Sequence, residues 1–280
     1  MDFVKPASLF CGLIAAVLAG CAAQPREPQS AAPAPTEAVS TSSTDPSSPL
    51  SPAQKAARRE SLELLQAGRY AELDVRMNGF QQAYRARTLG DLELLREFGA
   101  FARTDSILQA NLDAWVQGYP GSYAARLARG IYYFKCGVVT RGKKYIDRTP
   151  AEQIRGMKVY LTQAREDLLA SLPLDAMPLI SYRYLIVIGM EYGERDRNRE
   201  WLEKATALDP DSIVIRRPYM ISLETRWGGS LDAMQEFLDV SRKVGASPDH
   251  LRMLAELIDR ERQWLHKKPA EAASETDEPS

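Results

Sequence analysis

Residues 201–210 read WLEKATALDP, and this run sets the expectation for the fold. Ala205 is a small residue where a second helix can cross closely, and Leu208 is its apolar neighbour one turn on. Pro210 stands where a helix must end, because proline has no amide proton to continue the ladder. Outward from this run, apolar residues recur at the three- and four-residue spacing of helices. Leu73, Met77, Phe80 and Tyr84 mark one stripe, and Leu108, Leu112, Trp115 and Val116 a second. Met157, Tyr160, Leu161, Ala164, Leu168 and Leu172 give a third; Leu231, Met234, Phe237, Leu238 and Ser241 give a fourth. Ser230 is placed to cap the fourth and Gly245 to close it. Ser247-Pro248 opens a last helix that turns Leu251, Leu254 and Ile258 inward. Residues 179–192, LISYRYLIVIGMEY, are apolar nearly all round. A buried strand competes there with a central buried helix, and the length and the neighbouring helices favour the helix. No run shows convincing period-two alternation, so the spacing predicts an all-α fold.

The same landmarks return in order. In residues 64–73, LLQAGRYAEL, Gly68 ends one helix and Tyr70 packs under the next. Leu108, Leu112 and Trp115 lead to Pro120. Residues 123–137, YAARLARGIYYFKCG, carry a small residue, an aromatic and a terminal glycine at Gly130, Tyr133 and Gly137; Ala233 and Phe237 continue into a last pair. Over about residues 54–250 these features resemble tetratricopeptide repeats, whose helix pairs recur about every 34 residues. The resemblance implies a tetratricopeptide-like α-solenoid of antiparallel helix pairs with degenerate repeats, spanning 53–268. Departures are plain: Arg126 and Arg129 fall where the repeat is apolar, residues 138–155 insert a basic loop, and Pro218 interrupts a helix. The stretches GRYAELDVRMNGFQ, YAARLARGIYYFKCG and RWGGSLDAM also resemble a bacterial domain-of-unknown-function family (domain of unknown function 4034) with tetratricopeptide-like helices. That resemblance implies no activity.

The first residues speak to compartment. ASLFCGLIAAVLAG, 7–20, is too short to span a bilayer but suits the core of a signal peptide, with Lys5 before it. It runs into Leu18-Ala19-Gly20-Cys21, which resembles the lipobox of bacterial lipoproteins, although Asp2 and a single cation make a weak leading segment. The resemblance implies cleavage before Cys21 and its lipidation, and two acyl chains already anchor stably. No aspartate follows Cys21, which favours the outer membrane, facing the periplasm, in a Gram-negative cell. Residues 22–52 are rich in proline, serine, alanine and threonine and read as a flexible tether of about 30 residues. Residues 269–280, PAEAASETDEPS, read as a disordered acidic tail. Nothing after residue 20 reaches the roughly 18 continuous apolar residues of a membrane helix. Cys11 would leave with the signal, so Cys136 alone would remain as a free thiol, expected to pack as a small apolar residue.

A search for chemistry finds little. A net charge of −1 gives no electrostatic case for nucleic acid. Both histidines, His250 and His266, sit on the final helix without nucleophile or metal-ligand spacing. Glu60-Ser61 echoes the catalytic glutamate of lytic transglycosylases, but it lies at the ragged start of the domain. Glu191, Glu194 and Asp196 read as a solvated turn, and Arg141, Lys143 and Lys144 as a solvated basic loop. The expectation is a non-enzyme without cofactor or metal.

Binding is the remaining role, and the candidates are Arg126, Arg129, Tyr133, Arg226 and Trp227. Arg126, Arg129 and Tyr133 share one face of a helix. Either the face is buried and the arginines pair with Asp74, Glu166 or Asp167, or it is open and grips an acidic partner. Trp227 either packs over an inter-helix turn or stands out as an anchor. The sequence therefore reads as an envelope scaffold or adaptor with a membrane anchor and an unidentified protein partner; the alternative is a binder of glycan or a small ligand through an aromatic and arginine-lined pocket. Replacing Cys21 by alanine should abolish labelled-palmitate incorporation and partitioning into detergent. Persistence of both signals in that variant would remove the lipoprotein reading.

Overall fold

The computed structural model describes residues 49–144 and 148–274, excluding the side chains of 268–274. Cys21, the signal segment and nearly all of the tether lie outside the described residues. Eleven α-helices carry the described chain, and no strand occurs in it. They are α1 (Pro52–Gln66), α2 (Tyr70–Arg85), α3 (Asp91–Phe98), α4 (Ser106–Gly118), α5 (Tyr123–Arg141) and α6 (Ala151–Ser171), followed by α7 (Leu179–Tyr192), α8 (Arg195–Leu208), α9 (Ile213–Ser222), α10 (Leu231–Lys243) and α11 (Pro248–Ser274). None of these helices is long and apolar enough to cross a membrane.

Local signals place the helix ends. Ser51 caps α1 by accepting from the Gln54 amide at 3.2 Å, while its own amide donates to Gln54 Oε1 at 3.0 Å. This reciprocal cap, with Pro52 in the first position, starts the domain two residues before the boundary drawn from the sequence. Ser122 and Ser230 cap α5 and α10 by accepting from the Ala125 and Ala233 amides, each at 3.1 Å. Gly193 and Gly245 close α7 and α10 with φ of +70° and +84°, a left-handed backbone that only glycine adopts freely. At the other end, α11 runs past residue 268 to Ser274.

Three segments differ from the sequence reading. The interruption after α5 covers only 142–150, because α5 itself continues to Arg141 and α6 starts at Ala151. Residues 91–101, unassigned in the sequence, form α3 and a 3-10 turn, Gly99–Phe101, whose Leu94, Phe98 and Phe101 are fully buried. Pro218 lies inside α9 without ending it. A proline at that position frees the carbonyl four residues back, and Arg183 Nη1 donates to that Val214 carbonyl at 3.2 Å. Since the vacated acceptor keeps a donor, the helix continues through the proline.

The core is built round α5 and α7. Helix α5 packs on α2, α4, α6 and α7, while α7 packs on α5, α6, α8 and α9. Residues 179–192 are the buried helix the length argument favoured, with Leu179, Ile180, Ile186 and Ile188 wholly inaccessible. Helices α5 and α6 are pressed together at two glycines. A Cβ on Gly130 would lie 3.0 Å from Leu168 and 3.4 Å from the Ala164 carbonyl; on Gly137, 3.0 Å from Leu161 and 3.4 Å from the Met157 carbonyl. As α5 advances from 130 to 137, its partners on α6 step back from 168 to 157, so the two helices run antiparallel.

The chain also closes on itself over a long sequence distance. Asp91 Oδ2, at the start of α3, accepts from Ser212 Oγ at 2.8 Å and from the Val214 amide at 3.1 Å. Asp209 receives Arg87 at 2.6 Å and the Tyr84 hydroxyl. A stack in which each repeat touches only its neighbours would not make these contacts. The packing predicts opposite outcomes for two glycines. Gly130→Leu should lower stability by about 1–3 kcal/mol through overpacking. Gly79→Ala, where an added Cβ meets nothing within 4 Å, should raise it by up to about 1 kcal/mol. Chemical-denaturation midpoints measure both.

Candidate functional site

Of the residues singled out by sequence, Arg126, Arg129 and Tyr133 do come together, around carboxylates of the fold. Asp167 of α6 is buried, with its side chain 4% exposed. Arg129 meets it with two bonds, Nε to Oδ2 at 2.6 Å and Nη2 to Oδ1 at 2.7 Å, a bidentate fork. Arg126 Nη1 adds a third bond at 3.1 Å. The remaining reach of Arg129 goes to Asp113 of α4 at 2.9 Å, so one side chain ties α5 to both neighbours. The bond to Asp167, ahead of any other cause, raises the guanidinium's pKa. Tyr133 is buried, packs edge-on to Tyr132 at 5.6 Å, and has its phenol pKa raised chiefly by desolvation. Asp167 is one of the three partners weighed on register. Asp74 instead accepts from Trp115 Nε1 at 3.1 Å.

Arg226 and Trp227 belong elsewhere, against α8 and α11. They form the turn Thr225–Trp227, where Arg226 Nε bonds buried Glu224 at 2.7 Å. Glu261 of α11 accepts from the Thr225 amide at 2.9 Å, and Arg195 of α8 reaches the Trp227 carbonyl at 3.3 Å. Trp227 itself is partly buried. The two candidate groups therefore do not form one site.

Other charged motifs also find partners inside the fold. Glu60 pairs with Arg76 at 2.9 Å, and the same arginine donates to buried Ser61 at 3.1 Å. Glu191 is not a solvated turn residue: it pairs with Arg141 at 3.4 Å, and burial raises its carboxyl pKa. Glu194 takes a two-pronged contact from Arg165 at 2.9 and 3.0 Å. Arg141 thus leaves the basic loop, whose Lys143 and Lys144 are exposed. Cys136 is buried, and desolvation raises its thiol pKa.

A sizeable groove lies away from all five of these candidate residues. Helix α10 packs chiefly on α11 and stands off from α8, leaving a groove of about 750 Å³ floored by α9. Leu202 lines it from α8, Tyr219 from α9, and Phe237, Val240 and Val244 from α10. On the floor the Tyr219 and Phe237 rings lie 4.8 Å apart, tilted by 59°. Val240 and Val244, both lining the groove, are 45% and 54% exposed. A partial signal for the groove was present: Ala233 and Val240 flank Phe237 of the core stripe on α10, and Val244 follows just past its end. Beneath the groove, Arg216 is 2% exposed and bonds Ser241 Oγ at 3.3 Å and the Pro210 carbonyl. Desolvation lowers its pKa, with Asp211 and Asp209 opposing at a distance. Glu203 and Arg199 stand on the α8 rim and Glu236 on the α10 rim.

Comparison with family models, with curated proteins and with solved structures finds no match to this chain.

The Asp167 cluster predicts a graded response in unfolding experiments. Asp167→Ala, which removes the bond of Arg126 and the bidentate fork of Arg129 but leaves Arg129 its contact with Asp113, should cost about 3 kcal/mol. Arg129→Ala should cost about 1–3 kcal/mol through lost charge-assisted bonds, and Arg126→Ala, with a single longer bond, roughly 0–1 kcal/mol. Equal midpoints for all three variants would show that the cluster does not hold α5 to its neighbours.

Proposed function

We propose that this chain is a non-catalytic adaptor of the bacterial envelope, lipid-anchored through Cys21, whose degenerate tetratricopeptide-like helix pairs hold a helical segment of a partner protein. The groove between α8 and α10 carries this reading. Its walls are helices of 14 and 13 residues, each about 20 Å long at 1.5 Å per residue. That length matches three to four turns of a docked amphipathic helix, a recurrent mode of peptide recognition.

Chemistry favours a peptide over a lipid or an acidic glycan. The floor is aromatic and aliphatic, whereas the rims carry both signs of charge, Arg199 beside Glu203 and, opposite, Glu236. A ligand of uniform negative charge would meet Glu203 and Glu236 as well as Arg199 and Arg216, so it would gain no more than a mixed-charge one. A helix with an apolar inner stripe and mixed charges at its flanks meets every element of the lining. The antiparallel seam of α5 and α6 and the packing of α7 on both α8 and α9 support the repeat-like pairing. The long closure of α3 onto α9 is where the arrangement parts from a regular stack. An outer-membrane location facing the periplasm rests on the sequence after Cys21, and the membrane is the anchor's partner rather than the groove's.

A photo-crosslinking side chain at Val240 of the full chain, introduced in cells, tests the groove. We expect one protein adduct, mapped to an amphipathic helical segment, whose synthetic peptide then binds the purified chain. Val244→Glu should weaken that peptide at least tenfold while leaving stability within about 0.5 kcal/mol, as for an ordinary surface change. Capture of a labelled fatty acid at Val240 without any peptide adduct would sink the reading.

A further inference from the structure

Away from the groove, three cationic side chains from three helices line one small cavity. Arg58 of α1, Arg96 of α3 and Arg183 of α7 enclose about 300 Å³, with Leu92, Leu95 and Tyr184 in the same wall and no carboxylate among the lining residues. Positioning is done by the main chain. Arg58 Nη2 donates to the Gly99 carbonyl, and Arg183 Nη1 to the Val214 carbonyl at 3.2 Å. A Cβ at residue 99 would lie 3.3 Å from the Arg58 guanidinium, a tight contact. Carbonyl oxygens orient a guanidinium group but do not neutralise it. Among the described residues neither Arg58 nor Arg183 forms an ion pair.

Two acids act on these arginines from outside the lining. Glu97 is buried, acts on both Arg58 and Arg76, and has its pKa raised by desolvation. Asp91, which acts on Arg183 from a distance, is bonded to Ser212 and to the Val214 amide. Desolvation lowers the pKa of Arg58 against the pull of Glu97, and that of Arg183 against the weaker pull of Tyr184 and Asp91, the direction expected where burial outweighs nearby negative charge. Tyr184, packed edge-on against Phe134 at 5.1 Å, lies with its ring 6.0 Å from the Arg183 guanidinium. This is a positively charged box with an apolar side, at the small end of the about 300–1,000 Å³ range of ligand pockets.

We propose that this cavity binds a small organic carboxylate, its charged end on the arginine groups and its apolar body against Leu92 and Leu95. Guanidinium planes match the two oxygens of a carboxylate. Inorganic phosphate would satisfy the arginines but leave hydrated oxygens facing leucine. A neutral or cationic amphiphile would offer no acceptor to Arg58 and Arg183, neither of which has an ion pair among the described residues. The site lies apart from the α8–α10 groove and meets it through the Arg183 bond to α9.

Calorimetric titration of the full chain with hexanoate, with hexylamine and inorganic phosphate as controls, tests this. Hexanoate should bind saturably at one site and the controls should not. Arg96→Met, which removes a cation, and Leu95→Trp, which fills the space without changing charge, should each weaken hexanoate at least tenfold with the helical circular dichroism spectrum intact. Both positions are only partly buried, so two independent variants guard against a loss of folding in one. Absence of hexanoate binding at millimolar concentration would overturn the proposal. So would affinity unchanged in both variants, equal binding of hexylamine, or binding of phosphate alone.

Discussion

Two helices approach only as closely as the side chains between them permit, and Gly130 and Gly137 set that limit for α5 and α6. With no side chain at either position, α6 leucines drop onto the α5 backbone, and carbonyls of α6 come within van der Waals reach of where a Cβ would stand. The closeness fixes more than one pair. It brings Asp167 up to Arg126 and Arg129, and through Arg129 it reaches Asp113 on α4. Partly buried ionic clusters of this kind add little net stability over apolar packing, yet removing one member is costly. Their geometric effect here is to lock the rotation of α5 relative to both neighbours.

Rotation of α5 in turn positions α7, and α7 carries α9. Helix α9 is held from one side by α7 and, through Asp91, by α3. Ser230 and Gly245 bound α10, which rests on α11. One face of α9 is therefore left between α8 and α10 without a covering helix. The groove follows from the pairing of α10 with α11 in place of α8, and the exposed Val240 and Val244 are the side chains that a covering element would have buried.

Much of the fold was legible because helix spacing and capping are local. The stripes at 73–84, 108–116, 157–172 and 231–241, the cap at Ser230 and the small residue Gly130 depend on residues within one or two turns, whereas Gly137, expected to end its helix, lies inside α5 with Leu161 of α6 packed against it. Residues 91–98 escaped notice because eight residues give too few turns to show a period. Pro218 misled because its tolerance depends on Arg183, distant in sequence, supplying the donor that the vacated carbonyl needs. Arg126 and Arg129 were rightly flagged as odd, and Asp167 was among the partners weighed; Asp113 was not, since nothing local ties residue 113 to residue 129. Glu191 and Arg141 looked solvated for the same reason. The groove was harder still: its apolar residues on α10 were readable in part, but which helix leaves them uncovered is a property of the whole packing.

Arg183 faces two ways. It lines the small cationic cavity, and it donates to the Val214 carbonyl that Pro218 leaves open. Helix α9, which contains that carbonyl, supplies Tyr219 to the floor of the large groove. Any anion that drew Arg183 away from Val214 would leave a main-chain acceptor unmet inside α9, and any partner that bent α9 would change the geometry offered to the anion. Such a shared residue makes the occupancy of one site a term in the free energy of the other, equal in both directions by thermodynamic linkage. A proline that looks like a defect in a helix is thus the point at which two separate surfaces of the protein would sense each other.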